Sequence, residues 1–373
     1  MLSKCHVVVI GLAISSSWGN GHATIYRSLL GALGRRGHHV LFLERDDPGY
    51  AAHRDLRDWD SVRVAFYGSV QELGQRYRSA IQGADVVIVG SGIAEGQDVL
   101  DWARRHTRGV LMFYDIDTPR TLQRLETGES CAYLRRDQLP MLDTMLSFSA
   151  GTALERLVAL GAPRARSLCC SVDPGVHLPV NEETRWDLGY LGTYAPDRQP
   201  ALGRLLLDVA SQRASARFAV AGPLYPDTIT WPTNVERVEH LPPQAHAAFY
   251  CGQRFTLNLT RTETRRLGHS PSVRLFEAAA CGSAIISDAC EGLEAFFEPY
   301  VEILPATDAR DIEQYLDLSE GERRTIGRRA RSRVMASHTS EHRALELEAY
   351  VAEAMGVSEL ARARGAARAP AAL

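Results

Sequence analysis

Lysine is almost missing. The 373-residue chain carries 42 basic residues, and Lys4 is its one lysine. Schiff-base, pyridoxal-phosphate and Walker-A chemistries each need an internal lysine, so all three are excluded. Any anion gripped here by a long cationic side chain is gripped by arginine, whose planar fork suits phosphate. Paired cysteines are missing too. The seven present (Cys5, Cys131, Cys169, Cys170, Cys251, Cys281 and Cys290) are odd in number and contain no C-x-x-C. A disulfide framework and a structural zinc site are therefore not expected, and the thiols read as small buried hydrophobes in a reducing compartment. There is no basic excess. A net charge of −3 gives no reason to expect a nucleic-acid partner. No apolar run is long enough to cross a bilayer. Lys4 and the apolar residues 7–14 loosely resemble the start of a signal peptide. The run is short and lacks a cleavage site, so a first buried strand is the better reading and a cytoplasmic location is expected.

What is present is an ordinary globular composition, 45% hydrophobic and 23% charged, in a chain long enough for two domains. Short β-branched runs alternate with helical patterns. Strands are predicted over 6–12, 39–44, 62–66, 85–89, 109–114 and 143–148, with helices over 23–36, 70–82 and 94–106. A polar, proline-marked linker is predicted over 171–185. The alternation then restarts, with strands over 188–192, 217–221, 235–240, 255–259 and 284–287. Helices are predicted over 199–210, 243–250 and 272–281, and again from 308 onward. Continuous apolar strands alternating with helices imply parallel sheets covered on both faces. The expected fold is α/β, with two Rossmann-like doubly wound domains and a cleft between them, over 1–175 and 186–340. A C-terminal helix and an Ala/Arg-rich frayed tail follow over 341–373.

Three stretches carry polar groups at strand ends, where such sheets bind ligands. The first βα turn contains Trp18-Gly19-Asn20-Gly21-His22. Gly19 and Gly21 let backbone approach a ligand, and the following helix N-terminus favours an anion. The third glycine of G-x-G-x-x-G is absent, so dinucleotide binding is not expected. A tight turn with a Ser/Asn cap accounts for the same residues. The second stretch is Asp115-Ile116-Asp117, two carboxylates at the end of a buried strand. It suits a base, sugar hydroxyls or a metal, and equally a plain helix cap. The third runs from His269 to Gly282. Ser270 and Ser272 stand where a cap or anion contact belongs. Arg274 and Glu277 share a helix face, suiting phosphate and ribose or merely each other. His38, His39, His240 and His246 lie at element edges and are given no catalytic role.

The second half resembles the glycosyltransferase domain of the spore-maturation CgeB family, in the glycogen-synthase-related group of GT-B enzymes. The likeness rests on residues 187–194 (DLGYLGTY), 197–202 (DRQPAL), 220–223 (VAGP), 258–261 (NLTR), 270–282 and 291–293 (EGL), and the Gly19–His22 turn is similar to theirs. The resemblance implies transfer of a sugar from a nucleotide-diphosphate sugar, used as co-substrate, to an acceptor hydroxyl or amine. It implies retention, and neither cofactor nor metal. Glu277 matches the acidic residue that binds the donor ribose in that group. The second glutamate expected eight positions earlier is His269 here. With no lysine available, Arg198 and Arg274 stand nearest to the diphosphate role. Gly19, Asn20, Gly21, Thr193, Ser270 and Ser272 would complete the donor site, and His22, Asp115 or Asp117 would serve the acceptor. That acceptor is a small molecule, a glycan or a protein. An epimerase or hydrolase on the same fold, and a non-catalytic nucleotide-binding or structural protein, remain the alternatives.

Overall fold

A computed structural model describes residues 4–56 and 59–366. Two all-parallel sheets account for the strands. The first holds β1 (His6–Gly11), β2 (His39–Arg45), β3 (Val62–Tyr67), β4 (Val86–Gly90), β5 (Val110–Asp115), β6 (Thr144–Ser147) and β7 (Ala165–Ser167), in the order 3-2-1-4-5-6-7. The second holds β8 (Trp186–Leu191), β9 (Phe218–Ala221), β10 (Val235–Val238), β11 (Gln253–Asn258), β12 (Ala284–Asp288) and β13 (Leu304–Ala306), in the order 10-9-8-11-12-13. Each order reverses once, between β1 and β4 and between β8 and β11. The crevice beyond the carboxyl ends of the strands is the binding position of a doubly wound sheet.

The cause is visible strand by strand. All six residues of β5 and all five of β4 and β12 are buried, as a sheet covered by helices on both faces requires. Each fully buried Val, Leu, Ile or Phe side chain contributes about 1.5–3 kcal/mol. One apolar cluster runs from Val7 and Ile88 of the first sheet to Leu275 and Phe276 beyond the second, so the two halves share core.

Several elements differ from expectation. The helix expected over 70–82 is broken at Tyr77, whose hydroxyl donates to the Phe66 carbonyl at 2.9 Å. β7 and β13 were not expected. At three residues each they are too short to show a periodicity. The helices Thr118–Thr127 and Thr152–Ala159 were also missed, the first because Pro119 reads as a turn but occupies the first helical turn. The last helix, Ser340–Ala366, passes through the start of the expected frayed tail, and 367–373 lie outside the described residues.

That last helix crosses back onto the first sheet's half. Glu348 accepts from Arg36 Nε at 2.5 Å and Nη2 at 2.9 Å, and lies 3.0 Å from His38 Nε2. His38 Nδ1 accepts from the Cys5 N–H at 3.1 Å, so Nε2 carries the proton and donates to Glu348. Glu348→Ala leaves this buried donor unsatisfied. It should lower unfolding free energy by about 1–3 kcal/mol, read as a lower urea midpoint. Glu348→Gln, which keeps an acceptor, should recover part of the loss. An unchanged midpoint in Glu348→Ala would show that the helix is not held there.

Candidate functional site

A cleft of ≈ 800 Å³ lies between the two sheets and is lined from both. On the first side, the loop after β1 is fixed from below by Glu44 at the end of β2. Its carboxylate accepts from the Ile14 and Ser15 N–H groups at 2.8 and 2.9 Å and from the Ser15 hydroxyl at 2.6 Å. Dinucleotide-binding sheets offer a ribose-binding carboxylate near that strand end. Here it is turned inward and consumed. Asn20 is likewise committed to the turn. Its amide donates to the Ala13 and Ser16 carbonyls, and its oxygen caps the helix Gly21–Arg35 by accepting from the His22 N–H at 3.0 Å. Gly19 adopts φ +60°, and a side chain at Gly19 or Gly21 would meet nothing within 4 Å, so the turn leaves open space beside the cleft.

His22 and Asp117 meet across this side, with Nε2 to Oδ2 at 3.3 Å. The Ser91 hydroxyl donates to the same oxygen at 2.9 Å. Burial pushes the Asp117 carboxyl up, but His22, Ser91 and the charge of Arg261 outweigh it and hold it below the usual carboxylate range. Asp117 is an ionised carboxylate on the cleft wall. Asp115 differs from expectation: it is fully buried and does not line the cleft. Its Oδ1 accepts from Thr121 Oγ1 at 2.9 Å and the Asp117 N–H at 3.2 Å, while Oδ2 has no partner. Burial and the neighbouring Asp117 push its pKa up to about 8. The two carboxylates of the D-x-D are driven apart, one charged and one neutral, because β5 ends between them.

The second side is built on the β8/β11 opening. Arg274, in the first turn of the helix Val273–Ala280, donates from Nε to the Leu191 carbonyl and from Nη1 to Asn258 Oδ1 at 2.8 Å. These are the last residues of β8 and β11. Its guanidinium also lies 4.7 Å from the Tyr190 ring centre. Arg198 donates to the Thr193 carbonyl at 2.5 Å, while its buried Nε has no partner. Burial, then the charges of Arg274 and Arg261, push the Arg198 guanidinium below its usual range. Arg261 is exposed on the same wall. Among the described residues none of these three arginines makes an ion pair with a carboxylate. Ser270 and Ser272 line the cleft, and Ser272 caps the Val273–Ala280 helix without a side-chain hydrogen bond, so the helix N-terminus is open.

Glu277 also lines the cleft, at 3% exposure. It does not pair with Arg274; it accepts from the Tyr250 hydroxyl at 2.8 Å and lies near His177 and His246. Burial pushes its carboxyl up, but those two histidines, Tyr250 and Arg274 together leave it lowered. His269 is absent from the cleft lining and packs against Gly151 and Gly292 instead.

The structure thus brings Gly19, Asn20, Gly21, His22, Asp117, Thr193, Arg198, Ser270, Ser272, Arg274 and Glu277 to one cleft and leaves Asp115 behind it. Sequence reasoning passed over Arg261, Tyr250, His177 and His246. Arg261 was legible, since it follows the end of a switch-point strand. The other three come together only through the fold.

Fold and site define a class, the two-domain GT-B architecture. Residues 198–349 match a family model described as Glycosyl transferase-like, so the second half carries a glycosyltransferase-type enzyme domain. Among solved structures, the chain is similar to sucrose-phosphate synthase from Thermosynechococcus elongatus (TM-score 0.66, 15% identity, 97% of this chain and 99% of that one). It is also similar to Anabaena HepE in complex with UDP and glucose (TM-score 0.67, 12% identity, 93% and 99%). An alpha-glucosyltransferase in complex with UDP and DNA is similar at TM-score 0.67 and 12% identity, over 94% and 100%. No curated protein sequence matches the chain.

The shifted Asp115 carboxyl has a consequence with a definite sign. It is protonated in the folded chain where an unfolded aspartate is already ionised. Its contribution to stability is therefore fully present below about pH 4 and lost as pH rises through about 8. Asp115→Asn should remove this fall of melting temperature across about pH 4–8, so that the variant gains steadily on the parent over that window. Parallel curves would mean that the carboxyl is ionised throughout.

Proposed function

We propose that the chain transfers a glycosyl group from a nucleoside-diphosphate sugar to a hydroxyl or amine acceptor. Transfer proceeds with retention and without a metal at the diphosphate, in the manner of the CgeB-like group. The observation that carries this reading is the set Arg198, Arg261 and Arg274 around an uncapped helix N-terminus, facing the open Gly19–Gly21 turn. Three guanidiniums without a carboxylate partner among the described residues call for an anionic ligand, and a diphosphate is one.

In this reading residues 186–340 hold the donor and 1–175 the acceptor. The Glu277 carboxylate accepts hydrogen bonds from the ribose hydroxyls. As the anomeric C–O bond breaks, its electron pair passes to the diphosphate, and the arginines and helix dipole stabilise the growing charge. The acceptor oxygen or nitrogen forms the new bond. Asp117, held ionised by His22 and Ser91, orients the acceptor and takes its proton. Retention rests on the likeness of residues 270–282 to retaining enzymes. The same reading places the chain in the cytoplasm, acting on a small-molecule, glycan or protein acceptor and not on nucleic acid. HepE and the alpha-glucosyltransferase were solved with UDP, which makes UDP the first nucleotide to try.

A thermal-shift panel tests the reading. UDP, GDP, ADP or TDP at about a hundredfold its dissociation constant should add about 2.7 kcal/mol, while NAD should add nothing. A shift with NAD alone would overturn it. Glu277→Gln should weaken donor binding about tenfold to several hundredfold, at roughly 1.4 kcal/mol per tenfold, since hydrogen bonds to a carboxylate are worth about 1.5–3 kcal/mol each. Turnover should survive EDTA. Complete loss, restored by Mg²⁺, would move the diphosphate role to a metal.

A further inference from the structure

Behind Glu277 lies an arrangement that donor binding does not explain. His177, on the segment joining β7 to β8, is 4% exposed, and neither of its ring nitrogens has a hydrogen-bond partner. Its Nε2 lies 3.6 Å from Glu277 Oε1. His246, at the start of the helix His246–Cys251, presents Nδ1 to Glu277 Oε2 at 3.9 Å, and that nitrogen is also buried without a partner. One ligand atom from each of the three residues lies within 4.8 Å of the others.

The tautomer of His246 sharpens the point. Its Nε2 lies 3.2 Å from the Leu241 carbonyl. A carbonyl only accepts, so Nε2 carries the proton, and Nδ1 of the neutral ring is a bare lone pair. That lone pair faces a carboxylate oxygen. His177 brings a second imidazole, with Nε2 facing Glu277 Oε1 and no partner at either ring nitrogen. Two imidazoles and a carboxylate therefore converge in a buried space. Among the described residues the hydrogen-bond donor to the carboxylate is the Tyr250 hydroxyl, at 2.8 Å to Oε2. Uncompensated acceptors facing one another in a low-dielectric interior are costly. A single proton relieves one pair of them, whereas a divalent ion relieves all three.

We propose that His177, His246 and Glu277 form a binding site for a divalent transition-metal ion of the Zn²⁺ class. Bonds of about 2.0–2.1 Å in a tetrahedron separate neighbouring ligand atoms by roughly 3.4 Å. The three ligand atoms lie within 4.8 Å of one another, so closing onto an ion needs side-chain shifts of up to about 1.4 Å. Two imidazoles and one carboxylate suit Zn²⁺, Co²⁺ or Ni²⁺ and not the all-oxygen shells of Mg²⁺ and Ca²⁺. The Leu241 carbonyl behind His246 is the outer partner that orients a metal-ligating imidazole. Three protein ligands leave a fourth position, on the side where His246 and Glu277 line the cleft. The ligands come from positions 177, 246 and 277, with no short spacing among them for a sequence to reveal. On the reading that Glu277 binds ribose, an ion here withdraws that carboxylate from the donor, so metal and donor compete.

The test uses the full chain, stripped of metal, titrated with Zn²⁺ by calorimetry and with Co²⁺ by visible absorption. One equivalent should bind, and Co²⁺ should show the intense bands of a tetrahedral site. His177→Ala and His246→Ala should each weaken Zn²⁺ binding at least tenfold, while the metal-free melting temperatures show whether each variant is folded. Absence of stoichiometric binding, or binding unchanged in folded single variants, overturns the site. UDP should raise the apparent Zn²⁺ dissociation constant at the site, measured against the same UDP addition to His177→Ala. Undisturbed Zn²⁺ binding in the presence of bound UDP overturns the competition. Failure of UDP to bind at all is a failure of the donor reading, and the metal titration still judges the site.

Discussion

The guanidinium of Arg274 is fastened across the gap between β8 and β11, and much of the cleft depends on that fastening. It sits 7% exposed on the Leu191 carbonyl, the Asn258 amide oxygen and the face of Tyr190, with no carboxylate partner among the described residues. A buried positive charge without a counterion is expensive, and hydrogen bonds to neutral oxygens offset only part of that cost. The remainder is a standing preference for an anion nearby. Gly192 is required by the same contact. A Cβ there would come within 2.8 Å of Arg274 Nη2 and 2.7 Å of the Tyr190 hydroxyl. The strand end, the glycine and the arginine are one unit.

The opposite wall is built on another economy. Glu44 spends its carboxylate on the loop after β1, which keeps that loop rigid and removes the group that would attract a dinucleotide ribose. Asp115 is kept neutral, which leaves Asp117 as the ionised carboxylate of the pair at the cleft. Arg198, Arg261 and Arg274 gather at the end of the second sheet, and the Asp117–His22 pair stands at the end of the first. On the glycosyl-transfer reading proposed above, a donor with an anionic leaving group and an acceptor with a proton to lose belong on opposite walls.

Much of this was legible in the residues. The long buried strands and the helices after them are written in apolar runs that no loop would carry. The turn after β1 could be placed, because Gly19 and Gly21 follow that strand. Glu277 and Arg274 could be put on one helix face by spacing alone. The spacing could not say that Arg274 turns away to Leu191 and Asn258 while Glu277 turns to Tyr250 and the histidines. Nor could it separate Asp115 from Asp117, which differ only in which side of the β5 terminus each occupies. His246 reads as an edge histidine and His177 draws no notice in the sequence, because burial without a partner is a property of three dimensions.

The chain crosses between its halves twice, once in the segment after β7 and once between the helices Glu320–Ser337 and Ser340–Ala366. The crossings touch. The Val172 N–H donates to the His338 carbonyl at 3.1 Å, and the Ser340 N–H donates back to the Val172 carbonyl at 2.8 Å, making a parallel bridge between Val172 and Thr339. Two covalent tethers are thus welded into one pin. A pair of separate tethers would permit shear and twist, but a pin admits rotation about a single axis. A rotation about that pin would carry the walls of the cleft along an arc, with displacement growing in proportion to distance from Val172. Residues beside the pin keep their register through the swing, and those at the mouth travel farthest.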